Sequence, residues 1–375
     1  MAEQNILILP PPPPAKEAPL AFSNAMRLSP LQWLGVGVFA ALLIAFAPSL
    51  WKQVEPLPLE ADYRIPHDLK EDYWLYERFA DLAAAEHDTL ILGDSVVWGV
   101  YVTRQQTLSH YLNELARKDH CANLGLVGAH PLALGGLIEH YAQRVAGKTV
   151  LLQCNPLWMT SPVFDLQDER KPDEIFHPRL LPQFSPRIPR YHAEISPRLG
   201  IVVEQHLEFS GWTVHLQQAY YGQTDVPEWT LAHPYENPLE PLAQGLPPSD
   251  NVLRQEAKPW FARGIAKQDY PWLDMETSLQ WAAFQRSVEL LQRRGNRVFV
   301  LVGPFNEHML TAKSLDRYQI VKGTITTWLK ANDIPHLAPA ALPSEQYGDA
   351  SHPLAAGYEA LARQLLNDPF FKAKE

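Results

Sequence analysis

TLILGDSVVWG, residues Thr89 to Gly99, is the stretch on which the fold turns. Four apolar-leaning residues run into Gly93, Asp94 and Ser95, and the chain then becomes apolar again. A short apolar run bounded by turn residues reads as a buried strand. A plain turn would be served by Asn-Gly or Asp-Gly. A Ser at the exit of a strand raises the question of a nucleophile. Alone, Gly-Asp-Ser is a weak signal, because such tripeptides occur in many turns.

The flanks supply the architecture. Helical spacing runs from Tyr73 through Leu75, Phe79 and Leu82 to Ala85, and again at Leu108, Tyr111, Leu112 and Leu115. CANLGLVG (121–128) is a second strand, Leu132 to Val145 a helix, and KTVLLQCN (148–155) a third strand. The alternation stops at Pro156 and resumes near Met275. It continues with a helix over Glu276–Arg294, the strand RVFVLVGP (297–304), a helix over Ala312–Ala331 and a short strand at Ile334–Leu337. Strands alternating with helices predict a parallel sheet covered on both faces. The fold class is α/β: a flavodoxin-like three-layer α/β/α domain over 73–375 with a five-stranded parallel sheet. Ligands in such sheets bind at the carboxyl ends of the strands. Residues 156–275, rich in Pro and aromatics, read as an insertion that caps the sheet edge. Their aromatic content argues against a disordered linker.

Twenty residues without a charge, Leu31 to Leu50, match the hydrocarbon thickness at helical rise. They predict a retained transmembrane anchor, preceded by a Pro-rich disordered tail (1–30) and followed by a polar linker (51–72). A cleaved signal peptide fits less well, because some thirty residues come first and no clean cleavage site follows. The flanking charges Lys16, Arg27 and Lys52 bias the orientation slightly. The expectation is a single-pass membrane protein with its bulk outside the cytoplasm, on the periplasmic side. The net charge of −10, from 32 Lys and Arg against 42 Asp and Glu, comes with no basic block, so nucleic acid is not an expected partner.

Chemistry is carried by residues at strand exits. In DASHP, Asp349 and His352 lie three apart before a helix with Pro353 at its first position. A His there can take the proton of a Ser that is otherwise a poor nucleophile, while the Asp fixes its tautomer and stabilises the imidazolium. Gly128 and Asn155 end the second and third strands and are candidate oxyanion donors, one through its backbone and one through its side-chain amide. Asn306 and His308, in PFNEHML after the fourth strand, and Asp94 are candidate substrate contacts. No cluster has metal-ligand spacing, so no metal or other cofactor is expected. Cys121 and Cys154 fall on strands that the first strand separates in a flavodoxin-like order, which argues against a disulfide.

Four pieces, ILGDSVVWG, NLGLVGAHP, LLQCNPLW and DASHPLAAGYEALA, resemble the SGNH hydrolase superfamily of GDSL-type esterases and lipases. The resemblance implies Ser95 as nucleophile and backbone donor, Gly128 and Asn155 completing the oxyanion hole, His352 as base and Asp349 as its partner. The third piece departs from the family's Gly-x-Asn-Asp, reading Gln153-Cys154-Asn155-Pro156. Membrane-tethered members act on O-acyl groups of cell-surface or exported polysaccharides, some beside a membrane-bound O-acyltransferase. The expectation is therefore an ester hydrolase or O-acyltransferase acting on an acylated carbohydrate, with acetyl the expected group. The alternatives are a lipid or lysophospholipid esterase and a catalytically silent binding or assembly subunit with the same fold.

Overall fold

The computed structural model describes residues 28–57, 60–171 and 175–372, so the Pro-rich stretch over 1–27 lies outside the described residues. The chain divides into two compact units, Met1–Leu50 and Trp51–Glu375. The first carries most of helix α1 (Pro30–Val54), which is long and apolar enough to cross a membrane. Its apolar side chains are exposed, Leu31 at 78% and Phe39 at 63%, which sets it apart from a core helix.

The second unit holds a five-stranded, wholly parallel sheet of β1 (Thr89–Gly93), β2 (Cys121–Gly125), β3 (Thr149–Cys154), β4 (Arg297–Val302) and β5 (His336–Leu337). The order is β2-β1-β3-β4-β5, as expected for a flavodoxin-like sheet. Every residue of β1, β2 and β3 is buried, which is why these strands read as continuous apolar runs rather than alternating ones. The helices lie on both faces. On one, α4 (Leu108–Ala116) packs against α11 (Ala355–Asn367). On the other, α5 (Pro131–Tyr141) packs against α2 (Tyr73–Glu86) and α9 (Leu279–Arg293). Helix α10 (Ala312–Ala331) follows β4. Both cysteines are buried and free, on β2 and β3, with β1 between them.

Helix starts follow from local capping. Asp72 accepts the Leu75 N–H, Thr107 the His110 N–H, Ser278 the Trp281 N–H and Thr311 the Ser314 N–H. Each satisfies an amide that the first turn leaves without a partner.

Two segments differ from their expected character. The described residues of 51–72, read as a linker, are built into the unit. Buried Glu55 pairs with Arg78 and His215, and His215 pairs in turn with Asp72 at 2.7 Å. Tyr63, Arg64 and Ile65 are buried as well. Pro and charged residues hide such packing in the sequence, because its partners lie up to 186 residues away. The insertion forms α6 (Ile195–His206), α7 (Glu208–Tyr220) and α8 (Val226–Ala232) joined by irregular chain. Its Trp158, Trp260 and Trp272 are buried, so much of its aromatic content is core rather than open surface.

Candidate active site

Parallel strands bring their carboxyl ends to one edge, and register sets the level of each exit. Leu92 pairs with Leu152, which puts Ser95 level with Asn155. Gly93 pairs with Gly125, and the Leu126 N–H donates to the Gly93 carbonyl at 3.0 Å. The β2 exit loop is thereby tied to the end of β1, with Gly128 two residues further on. A Cβ on Gly93 would fall 2.5 Å from Val97 Cγ2, and one on Gly125 2.4 Å from the Trp98 nitrogen. Glycine at both positions is what allows the turn into α3 (Ser95–Trp98) to close against β2.

Ser95 is the first residue of α3 and is half-buried. His352 Nε2 lies 2.8 Å from Ser95 Oγ across 257 residues of sequence. His352 Nδ1 lies 2.8 and 2.9 Å from the two carboxylate oxygens of Asp349. An ionised carboxylate only accepts, so Nδ1 carries the proton and Nε2 is left to accept from the Ser95 hydroxyl. Burial alone would push the Asp349 carboxyl up. The charge and hydrogen bond of His352, with the Ser351 and His352 amides, hold it well below the usual carboxylate range. Burial alone would likewise lower the imidazole, but Asp349, with Asp94 behind it, raises it above its ordinary value. The structure thus brings Ser95, His352 and Asp349 together as one hydrogen-bonded chain.

The loop carrying Asp349 and His352 is held from several sides. The Tyr101 hydroxyl donates to Asp349 Oδ2 at 3.0 Å, and Arg263 donates to Tyr101 and to the Gly348 carbonyl. In α11 the Tyr358 hydroxyl reaches the Val96 carbonyl, which ties the terminal block to the Ser95 helix. Neighbouring Gly357 fits because a Cβ there would stand 2.9 Å from Pro353.

The oxyanion candidates are placed as follows. Asn155 Oδ1 accepts the Leu157 N–H at 3.1 Å, and Nδ2 donates to Asp94 Oδ2 at 2.7 Å. Gly128 has φ +86°, a left-handed value that glycine adopts without strain. The Ser95 and Gly128 amides carry no hydrogen bond to another described residue.

The three candidate substrate contacts are placed as follows. Asp94 is 2% exposed, and its oxygens accept from the Val96 amide, Asn155 Nδ2 and Trp158 Nε1, so it supports the site from beneath. Asn306 is fully buried and donates to the Asp349 carbonyl, holding the loop that carries Asp349 and His352. His308 is exposed and bonds the Leu342 carbonyl at 2.9 Å. The spacing after β4 indicated proximity to the site but not which way these side chains turn.

Four supports were not singled out from the sequence. Trp158 lies in the same block as Asn155. Tyr101 follows α3 closely. Arg64 is completely buried, and it donates to the Trp98, Gly99 and Val102 carbonyls while its guanidinium stacks on Trp98. His177 lies in the insertion and donates to the loop that carries Gly128. Among the described residues no group of three or more His, Cys, Asp or Glu side chains could hold a metal ion.

No model of a known protein family matches the chain, and no curated protein matches it in sequence.

Proposed function

We propose that the chain is a membrane-anchored serine esterase or O-acyltransferase of the SGNH type, acting on O-acyl groups of a cell-surface or exported polysaccharide, with acetyl the favoured group. The observation that carries the reading is the Ser95–His352–Asp349 chain, with the hydroxyl 2.8 Å from a ring nitrogen left free to accept. In this reading Ser95 Oγ bonds to the ester carbonyl carbon as its proton passes to His352 Nε2. Asp349 stabilises the resulting imidazolium, and the carbonyl oxygen becomes an oxyanion facing the Ser95 and Gly128 amides and Asn155 Nδ2. Collapse breaks the bond to the alcohol, which leaves with the proton from Nε2. Water or a sugar hydroxyl then gives its proton to His352 and attacks the acyl-Ser95 ester, regenerating the hydroxyl. Preorganised donors of this kind are each worth about 10²–10³ in rate.

The apolar helix α1 supports a membrane anchor, and the slight charge bias favours the catalytic unit outside the cytoplasm. A membrane-bound O-acyltransferase would be a fitting source of acyl groups. The test is a panel of acetyl, short-acyl and long-acyl esters, together with a serine-directed phosphonate, applied to the full-length protein in detergent. Cleavage of the short esters with labelling at Ser95 is expected. A strong preference for long chains would favour a lipid esterase. Absence of both activity and labelling would overturn the reading in favour of a silent binding subunit.

A further inference from the structure

The insertion and the Gly128 loop are joined by two buried histidines, each donating to a carbonyl of the other segment. His177, in the insertion, has Nε2 2.8 Å from the Val127 carbonyl. His130, just after Gly128, has Nε2 3.1 Å from the Phe176 carbonyl. Carbonyls cannot donate, so both Nε2 atoms carry protons. Each Nδ1 is then an acceptor. For His177 it faces the Tyr73 hydroxyl at 2.9 Å, and for His130 it faces the Ala133 amide and Gln280 Nε2. The two rings are 1% exposed, and burial lowers them to about 4 and about 3, so both are neutral at neutral pH.

This arrangement has a geometric consequence. The Val127 carbonyl and the Gly128 N–H belong to one peptide group, and a trans peptide points them in opposite directions. A donor that pins the carbonyl therefore also aims the amide. The same arm closes over the far side of Gly128, where a Cβ would meet the Phe176 ring at 3.1 Å and His177 Nε2 at 3.4 Å. Without the His177 bond, this glycine at φ +86° has wide freedom to turn its amide away.

We propose that His177, oriented by Tyr73, is a positioning residue for the Gly128 N–H, so that the insertion completes the oxyanion hole rather than only capping the sheet. This inference rests on the serine-esterase reading above. It assigns to residues 73 and 177 a task that neither residue's place in the sequence indicates.

The experiment uses full-length protein in dodecyl maltoside and p-nitrophenyl acetate, with His177→Phe, His177→Gln, Tyr73→Phe and Ser95→Ala. Phe keeps a ring but removes the donor, whereas Gln restores an N–H that can reach the same carbonyl. His177→Phe should lower kcat by about 10- to 100-fold, less than the about 10²–10³ for outright loss of an oxyanion donor because the amide is misaimed rather than removed, with KM little changed. His177→Gln should recover most of kcat. Tyr73→Phe keeps the His177 contact but frees its tautomer, and should lower kcat by a smaller factor. It also serves as the test if His177→Phe does not fold. A tetrahedral-adduct inhibitor, a trifluoromethyl ketone, should weaken in proportion to kcat across the series, which a merely structural defect would not produce. Unchanged kcat in folded His177→Phe and Tyr73→Phe would overturn the inference while leaving the esterase reading intact. So would recovery of thermal stability but not kcat in His177→Gln. Esterase activity surviving Ser95→Ala would overturn both.

Discussion

Asp349→Asn tests the His352 tautomer, because both Asp349 oxygens face Nδ1. Asp349 Oδ1 accepts from the Ser351 and His352 amides, both at 3.0 Å, while Oδ2 takes the Tyr101 hydroxyl and approaches His352 Nδ1 at 2.9 Å. Backbone amides cannot turn away, so an asparagine must give its oxygen to them. Its NH2 then stands where Oδ2 was, facing Nδ1. The oxygen kept at the Oδ1 position stays 2.8 Å from Nδ1 and competes for its proton, whereas a ring that accepts from the new NH2 carries its proton on Nε2, and Nε2–H then confronts Ser95 Oγ. A base in that tautomer cannot take the serine proton. The corresponding swap in the chymotrypsin triad lowers kcat by about 10⁴, or about 5.4 kcal/mol at 1.36 per decade. Tyr101 can rotate to accept from the new NH2, so the expected loss here is about 10³–10⁴. A second readout is pH. Activity should rise with pH as His352 loses its proton, because only the neutral ring accepts. Asp349 raises that titration above the ordinary value of about 6.5. Asp349→Asn should therefore move the midpoint of the residual activity to lower pH, since burial of the ring is then less opposed. The assay is kcat/KM for p-nitrophenyl acetate from pH 5 to 9. A loss below tenfold, or an unmoved midpoint, would refute the assignment of Asp349.

Other expectations follow from the same coordinates. A serine-directed phosphonate should label Ser95, and Ser95→Ala and His352→Ala should be about equally damaging alone or combined, since the two act as a unit; additive losses or labelling of another Ser would sink the triad. Asn155→Ala should lower turnover by about 10²–10³ with the fold retained, and near-normal turnover would move that donor role elsewhere. Buried His130 and His177 titrate below the ordinary imidazole value in the folded chain, so the unfolded chain binds more protons between about pH 4 and about pH 6.5. Stability should therefore rise with pH through that window and fall on acidification, and a urea midpoint unchanged between pH 7.5 and pH 5 would contradict their neutral burial. The full-length chain should resist carbonate extraction, and a reporter after Glu375 should read as extracytoplasmic; release by carbonate would remove the anchor, and a cytoplasmic signal would reverse the orientation.

The sheet was legible because its strands are short apolar runs separated by strongly periodic helices, as at Leu108–Leu115. Parallel pairing then fixes which ends share an edge. That logic brought Ser95 and His352 to one edge from opposite ends of the chain, where local spacing alone would leave each bland. The supports were less legible for a physical reason. His177 lies 50 residues from the carbonyl it binds, within irregular chain that has no period to read. Arg64 sits among prolines and charges, and nothing local shows that its guanidinium will be wholly buried against four carbonyls. For Asp94, Asn306 and His308, position gave the neighbourhood, but rotamer and burial decided the role.

The stretch Gln153–Pro156 differs from the SGNH pattern that it resembles, and its contacts show what the different residues do. Where the SGNH pattern has glycine, this chain has Gln153, whose Cβ would stand 2.8 Å from a Cβ on residue 93. Residue 93 is itself glycine, so the space exists. The Gln153 amide then bridges the strand exits, accepting the Asp94 N–H and donating to the Gly303 carbonyl, both at 3.3 Å. Where the pattern has aspartate, Pro156 has no N–H to offer, and Asn155 caps the Leu157 amide instead. That bond decides which way the Asn155 amide faces, and Nδ2 donates to Asp94. Asp94 brings a buried negative charge close to where an oxyanion would form, which is unfavourable unless it is answered. Three donors answer it, and Trp158, two residues beyond the altered proline, is one of them. The carboxylate also helps to raise the His352 titration. The stretch therefore holds an oriented Asn155 amide at the strand exit, so under the proposed reading Gln153 and Pro156 do not by themselves argue for a silent site.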